Sequence, residues 1–330
     1  MARAHRVSST VTLIAALYVI ALPFALSLFT RTSDAEKLND YYRPLMSEAG
    51  INRFRTNLGI VNDGGTELYD VTLPRLQRDL GMNETQFNDY VAQNFPHVAI
   101  FLRYGPELVK YLNPATEAVL AQKDNFHDAD QFPVANIRMD LGPYALIVLG
   151  SILALIGLVI RSGASRLATL AALAIGVGLL FGPLLLGWFH QTDAAEKVAQ
   201  AARPPFSPAV ANTVVNDIYK IDAAFTEMRQ GMFPAIGRQL GHTPAATDNY
   251  LHSNFPKTMR FLDEWDTQLH QGAHELSLSQ IQFMDEFHNA DATPYRALPW
   301  LVMAPGTALL FASGDALRRR SAKSDVEEVA

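Results

Sequence analysis

The feature that most constrains this chain is a self-similarity at a displacement of 160 residues. Phe29 to Ser47 (FTRTSDAEKLNDYYRPLMS) returns as Phe189 to Ser207 (FHQTDAAEKVAQAARPPFS). The correspondence runs through Pro23 with Pro183, Thr66-Glu67 with Thr226-Glu227, Pro74 with Pro234, and Leu80-Gly81 with Leu240-Gly241. It continues through Tyr90 with Tyr250 and Asn94-Phe95-Pro96 with Asn254-Phe255-Pro256. After one inserted residue, Phe126-His127 meets Phe287-His288, Asp130 meets Asp291, and Pro133 meets Pro294. A period kept in order over half a chain predicts one structural unit built twice. The expected organisation is repeat 1 over 1–160, a short loop over 161–166, and repeat 2 over 167–330.

Hydropathy then decides the environment. Of the 330 residues 49% are hydrophobic and 18% charged, with the apolar residues gathered into blocks. Such blocks indicate a membrane protein. Four spans are predicted at 8–29, 141–160, 167–189 and 297–317. Each is long enough to cross a hydrocarbon core of about 30 Å as a helix. The first has the flanks of a secretory leader, Arg3 and Arg6, but its counterpart is internal, so a retained anchor is expected. Arg161 and Arg166 flank the short loop, and the last span runs into Arg318, Arg319, Arg320 and Lys323. Short basic segments stay in the cytoplasm. Both termini are therefore expected inside a cytoplasmic membrane, with 30–140 and 190–296 outside and 318–330 as a cytoplasmic tail. Trp188, Tyr144 and Trp300 fall at the outer span ends, where aromatic rings favour the interface. Two spans per repeat predict halves related by a pseudo-twofold axis along the membrane normal.

The outer segments read as helical. Val210, Val214, Ile218, Ile221, Phe225, Met228 and Met232 recur at spacings of three and four, the period of one helix face. Thr243-Pro244 and Asn83 read as helix N-caps, and the Pro of each Asn-Phe-Pro ends the preceding helix. No stretch alternates long enough to be a strand. The fold class is an all-α integral membrane protein, each repeat carrying its own extracytoplasmic helical bundle. Asn62-Asp63-Gly64-Gly65 is a turn signal expected to break the first long helix of repeat 1. Gly178 with Gly182, Gly150 with Gly157, and Gly306 are candidates for close helix contact. Pro23 and Pro183 are expected to bend their spans alike.

Chemistry is sparse. The Phe-His-x-Ala-Asp elements place His127 and Asp130, and His288 and Asp291, just above the second and fourth spans. His and carboxylates together suit a divalent metal or acid–base work. The alternative is structural, with a packed His and an Asp capping the turn into the span. Glu36, Lys37 and Arg43, repeated as Glu196, Lys197 and Arg203, suit ion pairs on a helix or contacts to lipid headgroups. Met228, Met232 and Phe233 would border a cleft between the two outer bundles if they are exposed. Phosphate loops, nucleophile elbows and dinucleotide glycine patterns are missing, and there is no Cys. A net charge of −6 gives no support for nucleic-acid binding.

In layout alone, four spans with two large outer loops, the chain resembles tetraspanin-like and prominin-like membrane organisers. Its loops are equal, and it lacks the tetraspanin cysteine motif, so no residue carries over. The expected function is a non-enzymatic envelope component without cofactor: a scaffold, assembly factor or accessory subunit binding membrane lipids and a protein partner. The alternative is a lipid or small-molecule transport protein, or a membrane-surface metal enzyme, with substrate between the halves.

Overall fold

The structure, a computed structural model, describes residues 2–135, 137–163, 166–204 and 206–328. Ala164 and Ser165 of the predicted loop, and Val329 and Ala330 of the tail, lie outside the described residues, as do the side chains of Arg3, Arg320 and Lys323. All secondary structure among the described residues is helical. The first half contains α1 (Ala2–Ala25), α2 (Leu28–Met46), α3 (Glu48–Glu67), α4 (Leu73–Asp79), α5 (Glu84–Asn94), α6 (Pro96–Leu120), α7 (Lys123–Asp130) and α8 (Gly142–Gly163). The second contains α9 (Arg166–Leu185), α10 (Trp188–Ala202), α11 (Pro208–Glu227), α12 (Phe233–Gln239), α13 (Pro244–Asn254), α14 (Pro256–Glu264), α15 (His270–Gln282), α16 (Met284–Asp291) and α17 (Leu298–Glu328).

Four helices are long and apolar enough to cross a membrane: Arg6–Ala25, Met139–Ser162, Arg166–Leu185, and the segment Met284–Arg319. The first and third are shorter than the predicted 8–29 and 167–189. Each stops where one residue turns left-handed, Ser27 at φ 52° and Gly187 at φ +72°. These two positions differ by the repeat displacement, and each lies four residues beyond Pro23 or Pro183. A left-handed residue ends a helix because it turns the next N–H groups back onto the last carbonyls. Here Ser27 N–H reaches Phe24 O at 3.1 Å, and Gly187 N–H reaches Leu184 O at 3.3 Å. The helices that follow, α2 and α10, are thus separate from the spans.

The chain forms two compact units. One comprises residues 1–43, 122–201 and 285–330 and contains the four long apolar helices. Within it α1 packs along α8, and α9 along α17, while α1 also meets α17 and α8 meets α9. Small residues permit these approaches. A Cβ on Gly150 would lie 2.5 Å from Ile20, one on Gly157 2.9 Å from Leu13, and one on Gly306 2.8 Å from the backbone of Gly176. Gly178 and Gly182 have no atom in reach of such a Cβ, so the expected contact through them is absent, and Gly176 takes that role.

The other unit comprises 44–121 and 202–284. Instead of the two bundles expected, it has one core drawing on both halves, including Leu68, Leu76, Phe87 and Val98 with Phe225, Met228, Ile236 and Leu262. Merging the halves buries faces that neither short segment could cover alone, consistent with the gain in burial with domain size. Two of its hydrogen-bonded contacts recur as reciprocal pairs. Glu67 accepts from Thr258 N at 2.6 Å, and Glu227 accepts from Val98 N at 2.8 Å. Each carboxylate thereby serves the first turn of a helix from the opposite half, where unpaired N–H groups and the helix dipole favour an anion. Likewise Gln239 donates to Tyr90, and Tyr250 donates to Asp79.

Local signals in this unit behave as their chemistry dictates. Asn83 and Thr243 cap α5 and α13, and Pro96 and Pro256 open the next helices. A π-helical turn precedes α4 at Leu68–Thr72 and α12 at Met228–Met232. Pro74 and Pro234 stand in the first turn of the helices that follow, where a missing N–H is tolerated. The expected break at Asn62-Asp63-Gly64-Gly65 is absent, because α3 runs through it. Gly64 is there for packing: a Cβ on it would lie 2.3 Å from the Cβ of Phe261 on α14.

Candidate functional site

The predicted chemistry-bearing residues of the first half converge in the unit that holds the spans. Glu36 and Arg43 lie two helical turns apart on α2, hence on one face. Glu36 is 1% exposed, and a carboxylate so buried needs partners for both oxygens. Arg43 Nη2 donates to its Oε1 at 2.9 Å, and Met139 N donates to its Oε2 at 2.9 Å. The Arg43 Nε also donates to Asp130 at 3.0 Å, and Arg43 contacts Asp40. Hydrogen bonding to Asp130 above all holds the Arg43 pKa above its ordinary value. The two repeated motifs are therefore one ion-pair network. Asp130 is a partner of Arg43 instead of the helix cap expected of it, because α7 is brought against α2.

A second link joins α2 to α16. Asp34, 6% exposed, binds Lys37 Nζ at 2.8 Å and accepts from Asn289 Nδ2 at 2.9 Å, while Lys37 lies 3.8 Å from Glu286. His127 is exposed and hydrogen-bonds Gln131 at 3.1 Å, away from Asp130. In the second half Lys197 binds Asp193 at 2.9 Å, Gln200 donates to Glu196 at 2.9 Å, and Arg203, His288 and Asp291 have contacts of their own. No group of three or more His, Asp or Glu among the described residues has metal-binding geometry. Met228, Met232 and Phe233 do not border a surface. They are 0%, 0% and 3% exposed in the merged core, which fills the place of the expected cleft.

Residues outside the predicted set frame a cleft between α10 and the start of α17. Phe189, His190, Thr192, Asp193, Arg296 and Trp300 line about 470 Å³ of open space. Phe189 and Trp300 meet edge to face at 4.9 Å. Arg296 donates from Nε at 3.0 Å and Nη2 at 2.7 Å to one oxygen of Asp193, and Lys197 holds the other. Hydrogen bonds from Lys197 and then Arg296 keep the Asp193 carboxyl below its ordinary pKa. His190 Nε2 lies 2.9 Å from Asp128. The sequence signal was available in the aromatic residues at the span ends, yet only the fold brings Arg296 beside Asp193, 103 positions away.

The spans carry a further polar layer. Ser8, Ser9, Thr12, Thr169 and Ser313 are buried, and Ser9 donates to Gly157 O at 2.9 Å across helices. Comparisons with protein-family models, with curated proteins and with solved structures gave no match.

Proposed function

We propose that this chain is a non-enzymatic, multi-pass component of a cell envelope, arisen by tandem duplication, with both termini in the cytoplasm and its second unit outside. It acts as a scaffold, assembly factor or accessory subunit that meets a protein partner through the outer helical unit and lipid through the spans. The observation that carries this reading is the network around Arg43, where Asp130, a metal or acid–base candidate, and Glu36, an ion-pair candidate, are engaged by one guanidinium. A catalytic pair needs a group free to exchange a proton or bind substrate. Reciprocal contacts such as Glu67–Thr258 with Glu227–Val98 support duplication, since a twofold relation makes contacts recur in exchanged pairs. The core shared by 44–121 and 202–284 occupies the place where the transport alternative would seat a substrate between these segments.

Topology is tested by single cysteines in intact cells. Ser162→Cys should resist an impermeant thiol reagent, while Asn83→Cys and Thr243→Cys, both at exposed positions, should react. Labelling at position 162 overturns the orientation. Purified protein should bind a defined partner without stoichiometric metal, and replacing His127 and His288 by Gln should leave that binding intact. Bound metal together with loss of activity in the double variant would establish the enzyme reading instead.

A further inference from the structure

The cleft between α10 and the start of α17 combines three features seldom found together on a structural surface. Its wall is aromatic, Phe189 against Trp300, and Trp300 is 62% exposed. Arg296 and Asp193 line the cleft, Lys197 holds the second oxygen of Asp193, and Asp128 lies 2.9 Å from the lining His190. Just before it in the chain come the exposed leucines Leu184, Leu185 and Leu186, with Leu185 84% exposed. Donors remain available. Arg296 engages Asp193 through Nε and Nη2, so its Nη1 has no partner among the described residues, and Lys197 has two further N–H bonds.

We propose that this cleft seats the phosphodiester of a glycerophospholipid with net negative charge, drawn from the leaflet at that end of the spans. The phosphate meets Arg296 and Lys197, the Trp300 ring lies at headgroup level, and the acyl chains descend along Leu184 to Leu186. Asp193 orients both cations, whose remaining N–H groups are donors for the phosphodiester oxygens. Tryptophan favours the membrane interface because its ring is apolar while its N–H is polar. Basic residues near a bilayer attract anionic lipid by about 1 kcal/mol each, roughly a fivefold preference. The first half has the same aromatic arrangement, Phe29 against Tyr144 at 5.2 Å, but Thr30 and Ser33 stand where His190 and Asp193 stand in the second. Lys37 matches Lys197, but it is held by Asp34 and lies 3.8 Å from Glu286, so at this site the carboxylate shared by two cations is a feature of the second half.

The proposal rests on the membrane reading, and failure of the two is distinguishable: a chain that does not span a bilayer fails to enter nanodiscs at all. Full-length protein is reconstituted in phosphatidylcholine nanodiscs carrying a minor fraction of either doxyl-labelled phosphatidylglycerol or doxyl-labelled phosphatidylcholine. Quenching of tryptophan fluorescence is read, and the Trp300→Phe variant identifies the signal from the cleft. The expected result is preferential quenching by phosphatidylglycerol, reduced about fivefold in Arg296→Gln and less in Lys197→Gln. Equal quenching by the two lipids overturns the proposal, as does a preference unchanged in a folded Arg296→Gln protein. If Arg296→Gln does not fold, Lys197→Gln decides by the same criterion. Inorganic phosphate that abolishes the preference at unchanged ionic strength would identify a soluble-anion site and likewise overturn the lipid assignment.

Discussion

Several contacts of the second unit recur in exchanged pairs between the two halves of the chain, and fewer do so around the spans. Glu67 and Glu227 each serve a helix of the opposite half, and Tyr90 and Tyr250 each bond the opposite strip of side chains at Gln239 and Asp79. In the span unit Asp34 holds Asn289, yet the position matching Asp34 is Ala194. His190 meets Asp128, yet Thr30 matches His190. Unmatched contacts occur in the second unit as well, as between Thr72 and Thr258, and the contacts of Arg296 are among the unmatched ones of the span unit.

The comparison is tested most severely at Arg43. Arg43→Ala leaves Glu36 buried without its cation, and a loss of about 3–5 kcal/mol of stability is expected in thermal melts of detergent-solubilised protein. Arg43→Lys should recover part of it, since an ammonium supplies the charge without the fork. A loss near zero would mean that Glu36 is solvated, and the network would cease to be structural.

Gly64 probes the merged core next. Gly64→Ala drives a Cβ into Phe261, so a loss of about 1–3 kcal/mol is expected. Gly59→Ala, on the same helix with open space around it, should be neutral or slightly stabilising. The matching position in the second half, Ala224, already carries a Cβ at 0% exposure, so intolerance at Gly64 alone would show that the symmetry is approximate at the level of single methyl groups.

A smaller pair of changes measures the reciprocity itself. Glu67→Gln and Glu227→Gln should each lower stability by about 1–2 kcal/mol, because each removes the charge from a hydrogen bond at a helix N-terminus. Similar losses, additive in the double variant, fit twofold-related sites, whereas a large difference would break the comparison in this unit.

The smallest effect is expected from alkali. Burial, reinforced by the bond to Asp79, pushes the Tyr250 hydroxyl up to about 12. A group raised above its unfolded value stabilises fully below that value and loses its contribution as pH climbs through the folded one. Stability should thus decline between pH 10 and about 12, and Tyr250→Phe should blunt the decline. Tyrosinate absorbance that completes its rise near the ordinary value would count against the burial of this ring.

Sequence alone determined the features that depend on nearest neighbours along the chain. Four apolar helices follow from hydropathy, since a run of about 20 apolar residues has few other solutions. Asn83 and Thr243 cap their helices, and Pro96 and Pro256 end the preceding ones, because capping and proline sterics act within a few residues. The displacement of 160 also anticipated that matching elements would recur in order. What the tertiary structure decided were the meetings of faces distant in sequence. Asn62-Asp63-Gly64-Gly65 reads locally as a turn, yet Gly64 is helical because α14 needs the space. Met228, Met232 and Phe233 read as core or as the border of a cleft, and they are core because 44–121 and 202–284 share one interior. Asp130 reads as a cap and is instead a partner of Arg43, 87 positions away. Local backbone chemistry is written in short windows of residues. Which apolar face or charge meets which is set by the whole set of helices seeking burial at once, and no short window of residues contains that information.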